Sequence, residues 1–303
     1  MPSAKAETSP KSNFTRYKCG MGGETNQPID GNGTGADDER AIRDAAPLLV
    51  VPDGRSENSS RRLATERPVS ITYNGQAYAV MLASPADLED FAVGFSLSEG
   101  IVANPEEIIA LVDDETDDGL LLHMEIPPER MEALETRPRT LPGQSGCGLC
   151  GISELEAAAR LYPAIETEPA ISPDAIFAAL DALPAEQKYN QATGAVHAAA
   201  FADRAGEILA VREDIGRHNA LDKLVGYLRT GDFDPTSGWA LLTSRCSIEL
   251  TQKVMAARIP ALVTISAPTG LAVEFAEAHA LTLIALARSD GLLVFNDPFG
   301  KFA

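Results

Sequence analysis

Cys147 and Cys150, in the run Cys-Gly-Leu-Cys-Gly, are the residues of this chain best suited to covalent chemistry. Two thiols this close can share a persulfide, close a disulfide or chelate a metal. The glycines around them, Gly143, Gly146, Gly148 and Gly151, let the backbone turn so that both sulfurs face one way and give the segment its hinges. A helix is expected to start at Ser153, and its N-terminus would favour the thiolate, the form that attacks sulfur. A structural zinc site needs four ligands. The other candidates, Cys19, Cys246, His123, His197, His218 and His279, are lone residues that make no second half of a ligand pattern.

A second concentration of polar groups is VREDIGRHNALDK at 211–223. Asp214, Arg217, His218, Asn219, Asp222 and Lys223 gather there around a strand-to-helix turn at Gly216. A helix start of this kind can receive a phosphate, and Arg217 could add a bidentate contact to the same anion. An ordinary capped, solvated helix start reads equally well on spacing alone. TSRCSIE at 243–249 and SAPTG at 266–270 also follow strands and open helices. The hydroxyls and Arg245 of the first suit phosphate or base contacts, and Cys246 reads as packing. Three polar helix entries on one sheet edge point to a nucleotide-like ligand. His197, between Val196 and Ala198 on a strand, reads as a satisfied core histidine.

The elements that must position these groups follow from hydrophobic period and turn residues. Residues 1–50 are a polar, Gly/Ser/Thr/Asn/Asp-rich stretch expected to be a disordered tail. A small α+β unit is expected over 60–136. It opens with a hairpin, 69–73 and 77–82 about Asn74-Gly75, and continues in a helix capped by Ser84-Pro85 with Leu88, Phe91, Ala92 and Phe95 on one face. A mobile Cys-x-x-Cys loop is expected over 137–152. The rest, 153–303, alternates as hairpin, helix, strand, helix, strand, helix, strand and a last short strand. The fold class expected is α/β, a mixed sheet with helices on both faces plus the smaller N-terminal unit. Ligands in such sheets sit beyond the carboxyl ends of the strands, which selects the loops 213–218, 244–247, 266–271 and 287–291.

The charge balance narrows the partners. With 44 acidic against 25 basic residues and a net charge of −19, the chain lacks the basic surface a nucleic-acid binder needs. Any anion site must therefore be locally basic. No apolar run reaches the roughly 20 residues of a membrane span, and the N-terminus lacks the apolar core of a secretory signal. A cytoplasmic protein is expected, and four cysteines in a reducing compartment do not make a disulfide framework.

Taken together, ASPADLEDFAVGFSLSEGIV at 83–102, SGCGLCG at 145–151, TGAVHAAAF at 193–201, EDIGRHNALDKLVG at 213–226 and SAPTGLAVEFAEAHALTLIALAR at 266–288 resemble the formate dehydrogenase accessory sulfurtransferase family. The match runs from about residue 65 to the end, in the family's order. The resemblance implies a sulfurtransferase. Cys147 would carry a persulfide received from a cysteine desulfurase, with Cys150 assisting. The sulfur would pass to a molybdenum bis(molybdopterin guanine dinucleotide) cofactor, bound as cargo, that serves the formate dehydrogenase apoprotein. It also implies a cytidine-deaminase-like second domain and a homodimer. The family's cofactor-binding stretch falls on Leu286, Ala287, Arg288, Ser289, Asp290 and Gly291, with Arg217, His218 and Asn219 as further candidate contacts. Asp290 is a departure, placing a negative charge where a diphosphate is expected, and Cys246 is another, in the turn before the 248–257 helix.

The rival readings are tested by the same residues. A zinc deaminase needs a His- or Cys-x-Glu motif followed by Pro-Cys-x-x-Cys, whereas here the cysteines precede His218 and Ala220 occupies the glutamate's place. A thioredoxin-like oxidoreductase places its pair between a strand and a helix, not in a long Gly/Pro loop. The remaining alternative is a non-catalytic cofactor chaperone with a redox or zinc-binding Cys-x-x-Cys loop.

Overall fold

A computed structural model of the chain describes residues 15–18, 40–136 and 162–302. The Cys147/Cys150 loop expected over 137–152 and the helix expected from Ser153 lie outside the described residues.

The N-terminal unit is built on the predicted hairpin. Strand β6 (Arg67–Tyr73) and strand β7 (Gln76–Ala83) pair antiparallel across Asn74 and Gly75. Both turn residues have positive φ, 49° and 78°, the requirement of a two-residue turn whose twist matches the strands. Strands β8 (Ala110–Thr116) and β9 (Gly119–Glu125) complete the centre of a five-stranded sheet, with β1 (Thr15–Lys18) at its edge. Short strands β2 (Ile42–Ala45), β3 (Leu48–Val50), β4 (Ser56–Asn58) and β5 (Arg61–Ala64) form two ribbons, β2 with β5 and β3 with β4. Two of these strands fall within the stretch 1–50 expected to be a disordered tail. Their anchor is long-range: Ala41 is buried beside Ala86 and Tyr189, and Arg40 pairs with Glu115.

Helix α1 (Leu88–Ser98) lies over the sheet, and Gly100, in the left-handed region, ends it as expected. Its start corrects the sequence reading. The N-cap is Asp87, not Ser84. The Ser84 hydroxyl instead accepts a hydrogen bond from the Ile215 amide at 3.1 Å, so it ties the two halves of the chain together. Helix α2 (Pro128–Thr136) follows.

The second unit adds helices α3 (Pro173–Glu186) and α4 (Lys188–Thr193), neither among the expected elements. Yet Ser172-Pro173 carries the start signal of α3: the serine caps the Ala175 amide and the proline opens the first turn. Strands β10 (His197–Ala202), β11 (Ile208–Asp214), β12 (Trp239–Leu242), β13 (Ala261–Thr264), β14 (Thr282–Arg288) and β15 (Gly291–Asn296) form a six-stranded sheet in the order β11-β10-β12-β13-β14-β15. The pairs β12/β13 and β13/β14 are parallel and the others antiparallel.

The mixed sheet is covered on both faces, as expected. Ala200, Ala202, Trp239, Leu241 and Val263 point to the face packed by Ile176, Ala179 and Leu183 of α3. Their strand neighbours Ala199, Phe201, Ala240, Leu242 and Leu262 point to the face covered by α5 (Arg217–Thr230), α6 (Ile248–Ala256) and α7 (Gly270–Ala278). This second core continues without a break into the N-terminal unit through Phe91, Phe95, Tyr73 and Leu122. The seam is the contact of α1 with α5. A Cβ on Gly94 would stand 1.7 Å from the Asp222 carbonyl oxygen, and one on Gly226 would stand 1.9 Å from that of Asp90. The two helices thus meet backbone against backbone.

Candidate functional site

The carboxyl ends of β11 and β12 and the beginning of β10 meet at one edge of the six-stranded sheet, because β10 runs antiparallel to both. The segments that follow β12 and β13 are laced together there. Cys246 N donates to Ala267 O, Thr269 N donates to Cys246 O, and Leu286 N donates to Ser266 O. The strand-end loops chosen from the sequence therefore form one continuous rim.

The EDIGRHNALDK segment divides into two sets of residues. Asp214, Asn219, Asp222 and Lys223 are buried, and their polar atoms are engaged within the protein. Lys223 Nζ lies 2.6 Å from Asp214 Oδ2 and donates to Ser84 O at 3.0 Å. Asp214 also accepts from the amides of Ser84 and Gly216 and from Asn219 Nδ2. Asn219 gives its other amide hydrogen to Leu82 O. Asp222 accepts from Lys253 Nζ at 2.9 and 3.0 Å, and Lys253 also reaches Glu99. This set cements the N-terminal unit to the sheet. Asn219, expected to face a ligand, holds the turn instead.

Arg217 and His218 form the other set. Both are only partly buried. Arg217 Nε and His218 Nε2 are shielded from solvent yet have no hydrogen-bond partner in the protein, a condition that costs about 1–3 kcal/mol per group unless water or a ligand relieves it. Ser247 Oγ and Glu249 Oε2, at the start of α6, share that condition. Burial, reinforced by the charges of Lys253 and Arg217, lowers the His218 pKa to about 3, so its ring is neutral.

His197 joins them, which sequence reading missed by assigning it to the core. It is half-buried, and Thr243 Oγ1 is 3.4 Å from its Nδ1. Burial first, then the nearby charges of Arg217 and Arg245, lowers its pKa below the ordinary histidine value. The signal available in the sequence was its place at the first residue of a strand, next to a strand end. Cys246, by contrast, is fully buried, and desolvation aided by Glu249 pushes its thiol up to about 12. It is a packing residue, as the sequence suggested.

Leu286 to Gly291 holds the last residues of β14, the two-residue turn Ser289-Asp290 and the first residue of β15, with Arg288 paired to Gly291. Leu286 adopts a positive φ of 53° at an irregularity in the pairing. Ala287 is buried in the core facing α3, while Arg288, Ser289 and Asp290 are exposed and Leu286 and Gly291 partly so. Among the described residues no cluster of three or more His, Cys, Asp or Glu side chains could hold a metal ion. No described helix is long and apolar enough to cross a membrane.

Comparison with known proteins places the chain. The FdhD/NarQ family matches residues 64–300. A sulfur carrier protein FdhD from Xanthomonas campestris pv. campestris (strain B100) is 50% identical over 245 residues, 81% of this chain and 87% of the relative. One from Xanthomonas euvesicatoria pv. vesicatoria (strain 85-10) is 49% identical over 262 residues, 86% of this chain and 93% of the relative. A third, from Variovorax paradoxus (strain S110), is 43% identical over 237 residues, 78% of this chain and 85% of the relative. The fold is similar to the crystal structure of a formate dehydrogenase accessory protein from Desulfotalea psychrophila, with a TM-score of 0.67 and 21% identity, covering 86% of this chain and 98% of that one. Motif, extent of match and fold agree: the chain belongs to the FdhD/NarQ family.

Proposed function

We propose that the chain is a sulfur carrier for the maturation of formate dehydrogenase, working as a sulfurtransferase through a persulfide on Cys147. The observation that carries this reading is identity of about half, over most of the chain, to sulfur carrier proteins, within a family match that spans Cys147 and Cys150. In the proposed step the Cys147 thiolate attacks the outer sulfur of a cysteine desulfurase persulfide. A new S–S bond forms on Cys147, and the desulfurase cysteine leaves as its thiolate. Cys150 assists. The Cys150 thiolate then attacks Cys147 Sγ, and the persulfide S–S bond breaks. The Cys147–Cys150 disulfide that forms supplies the two electrons with which the outer sulfur leaves as sulfide to the molybdenum of bis(molybdopterin guanine dinucleotide), the cargo, before the cofactor enters the formate dehydrogenase apoprotein. The cargo would lie on the strand-end rim, within reach of Arg217, His218 and the exposed turn Arg288 to Gly291.

The six-stranded order, with its antiparallel hairpin followed by parallel strands, supports the cytidine-deaminase-like assignment of this domain. A homodimer and a cytoplasmic location complete the proposal. The test is intact-protein mass spectrometry after incubation with a cysteine desulfurase and cysteine. A gain of one sulfur, removed by reductant and mapped to the Cys147 peptide, is expected, and Cys147→Ala should gain none. Full formate dehydrogenase maturation by Cys147→Ala would sink the relay and leave a cofactor chaperone with a redox or zinc-binding loop.

A further inference from the structure

Arg217 and Arg245 stand apart from several other arginines of this acidic protein. Arg40, Arg67, Arg130 and Arg212 each pair with a carboxylate. Arg217 and Arg245 have no carboxylate partner among the described residues, although both lie close enough to His197 to disfavour its cationic form. Asp214, the carboxylate that acts on His197, is paired with Lys223. Two guanidinium groups, two imidazoles and the Thr243 hydroxyl therefore gather at one strand end, with the buried Arg217 Nε and His218 Nε2 unpartnered. Such a set holds excess positive potential that a dianion would neutralise.

We propose that His197, Arg217 and Arg245 form a proton-coupled oxyanion site, in which binding of a dianionic tetrahedral group, of the phosphate or sulfate type, draws a proton onto His197. The proposal rests on the rim being the ligand site of the preceding section and adds how that site is regulated. The groups that face His197 set the sign. Burial first, then Arg217 from α5 and Arg245 from the segment after β12, disfavour the cationic ring, while Asp214 from β11 acts the other way. His218, also near, is itself neutral. A bound dianion offsets the two arginine charges and adds its own attraction for a proton, so the ring takes one up against the effect of burial and becomes a charge-assisted donor to the anion. Affinity then rises as pH falls, and the anion is released as pH rises.

The experiment is calorimetric titration of the full chain with sulfate, which stays dianionic between about pH 6 and 8, in buffers of different ionisation enthalpy, so that any proton counted belongs to the protein. The expected result is tighter binding toward pH 6 with net uptake of up to one proton per sulfate. Arg217→Gln and Arg245→Gln should each weaken binding about tenfold or more. His197→Gln should bind without proton uptake and without the pH dependence. Methyl phosphate binding more tightly than sulfate would assign the anion to a phosphoester, and equal binding to a free oxyanion, both in keeping with the site. Absence of sulfate binding at millimolar concentration, or proton uptake unchanged in His197→Gln, overturns the proposal. Arg245 is exposed, so Arg245→Gln keeps the test decisive should His197→Gln fail to fold. No desulfurase and no Cys147 chemistry enters this titration. The anion site therefore stands if Cys147 takes up no sulfur, and falls alone if sulfate fails to bind while Cys147 is loaded.

Discussion

Lys223 Nζ sits 2.6 Å from Asp214 Oδ2, with neither side chain exposed to solvent. The pair bridges the middle of helix α5 to the end of strand β11, and both partners also bond Ser84 of the N-terminal unit. Polar residues that could have been ligand contacts are thereby the joint between the two halves of the protein. They hold the turn at Gly216 so that Arg217 and His218 project at the strand ends.

Breaking that pair should be severe. Lys223→Met leaves Asp214 buried without its cation and is expected to cost about 3–5 kcal/mol. Asp214→Asn combined with Lys223→Met removes both charges and should be more stable than Lys223→Met alone. Urea denaturation of the two variants measures this, and a double variant no better than the single would show that the charges are not coupled.

The glycine seam gives an opposite-sign test of helix propensity. Alanine in a helix interior is favoured over glycine by about 1 kcal/mol, yet Gly94→Ala and Gly226→Ala place a methyl group into the facing backbone. Both variants are expected to lose soluble, cooperatively folding protein. Gly270→Ala, at the first residue of α7 with nothing within 4 Å of the new methyl, should keep thermal stability within about 0.5 kcal/mol of the parent. Circular dichroism melts compare the three.

His218 makes stability depend on pH in a defined direction. Its folded pKa, about 3, lies below the ordinary value of 6.5, so between these values the unfolded chain binds more protons. The contribution is complete above pH 6.5 and is lost as pH falls toward 3. From about pH 7 to pH 5 the loss amounts to about 2 kcal/mol at most. His218→Gln should remove this part of the pH dependence of the denaturation midpoint, and an unchanged slope would place the titrating group elsewhere.

Cys246 should be inert. With its thiol buried and its pKa pushed up to about 12, iodoacetamide at pH 8 should leave it unmodified in the folded chain and alkylate it only in denaturant. Cys246→Ala should still accept sulfur from a desulfurase. Label appearing on the Cys246 peptide would contradict the burial argument.

The sequence by itself determined most of the elements from Arg67 onward and their order, though not helices α2, α3 and α4. The Asn74-Gly75 hairpin, the face of Leu88, Phe91 and Phe95, and the alternation of Ala199 to Ala202 are local patterns with periods of two or about four residues, legible over a short window. It also singled out the strand-end loops and the Cys147/Cys150 pair. The tertiary structure alone decided which polar residues meet. Ser84 and Asp214 are 130 positions apart, and no local period reports that they bond. For the same reason Asp214, Asn219 and Lys223 turn inward as a joint, while His197, expected in the core, comes to lie beside Arg217 and Arg245. Strand pairing between β10 and its neighbours, a long-range event, puts His197 against Asp214 at the end of β11 and Ala199 against Leu242 at the end of β12.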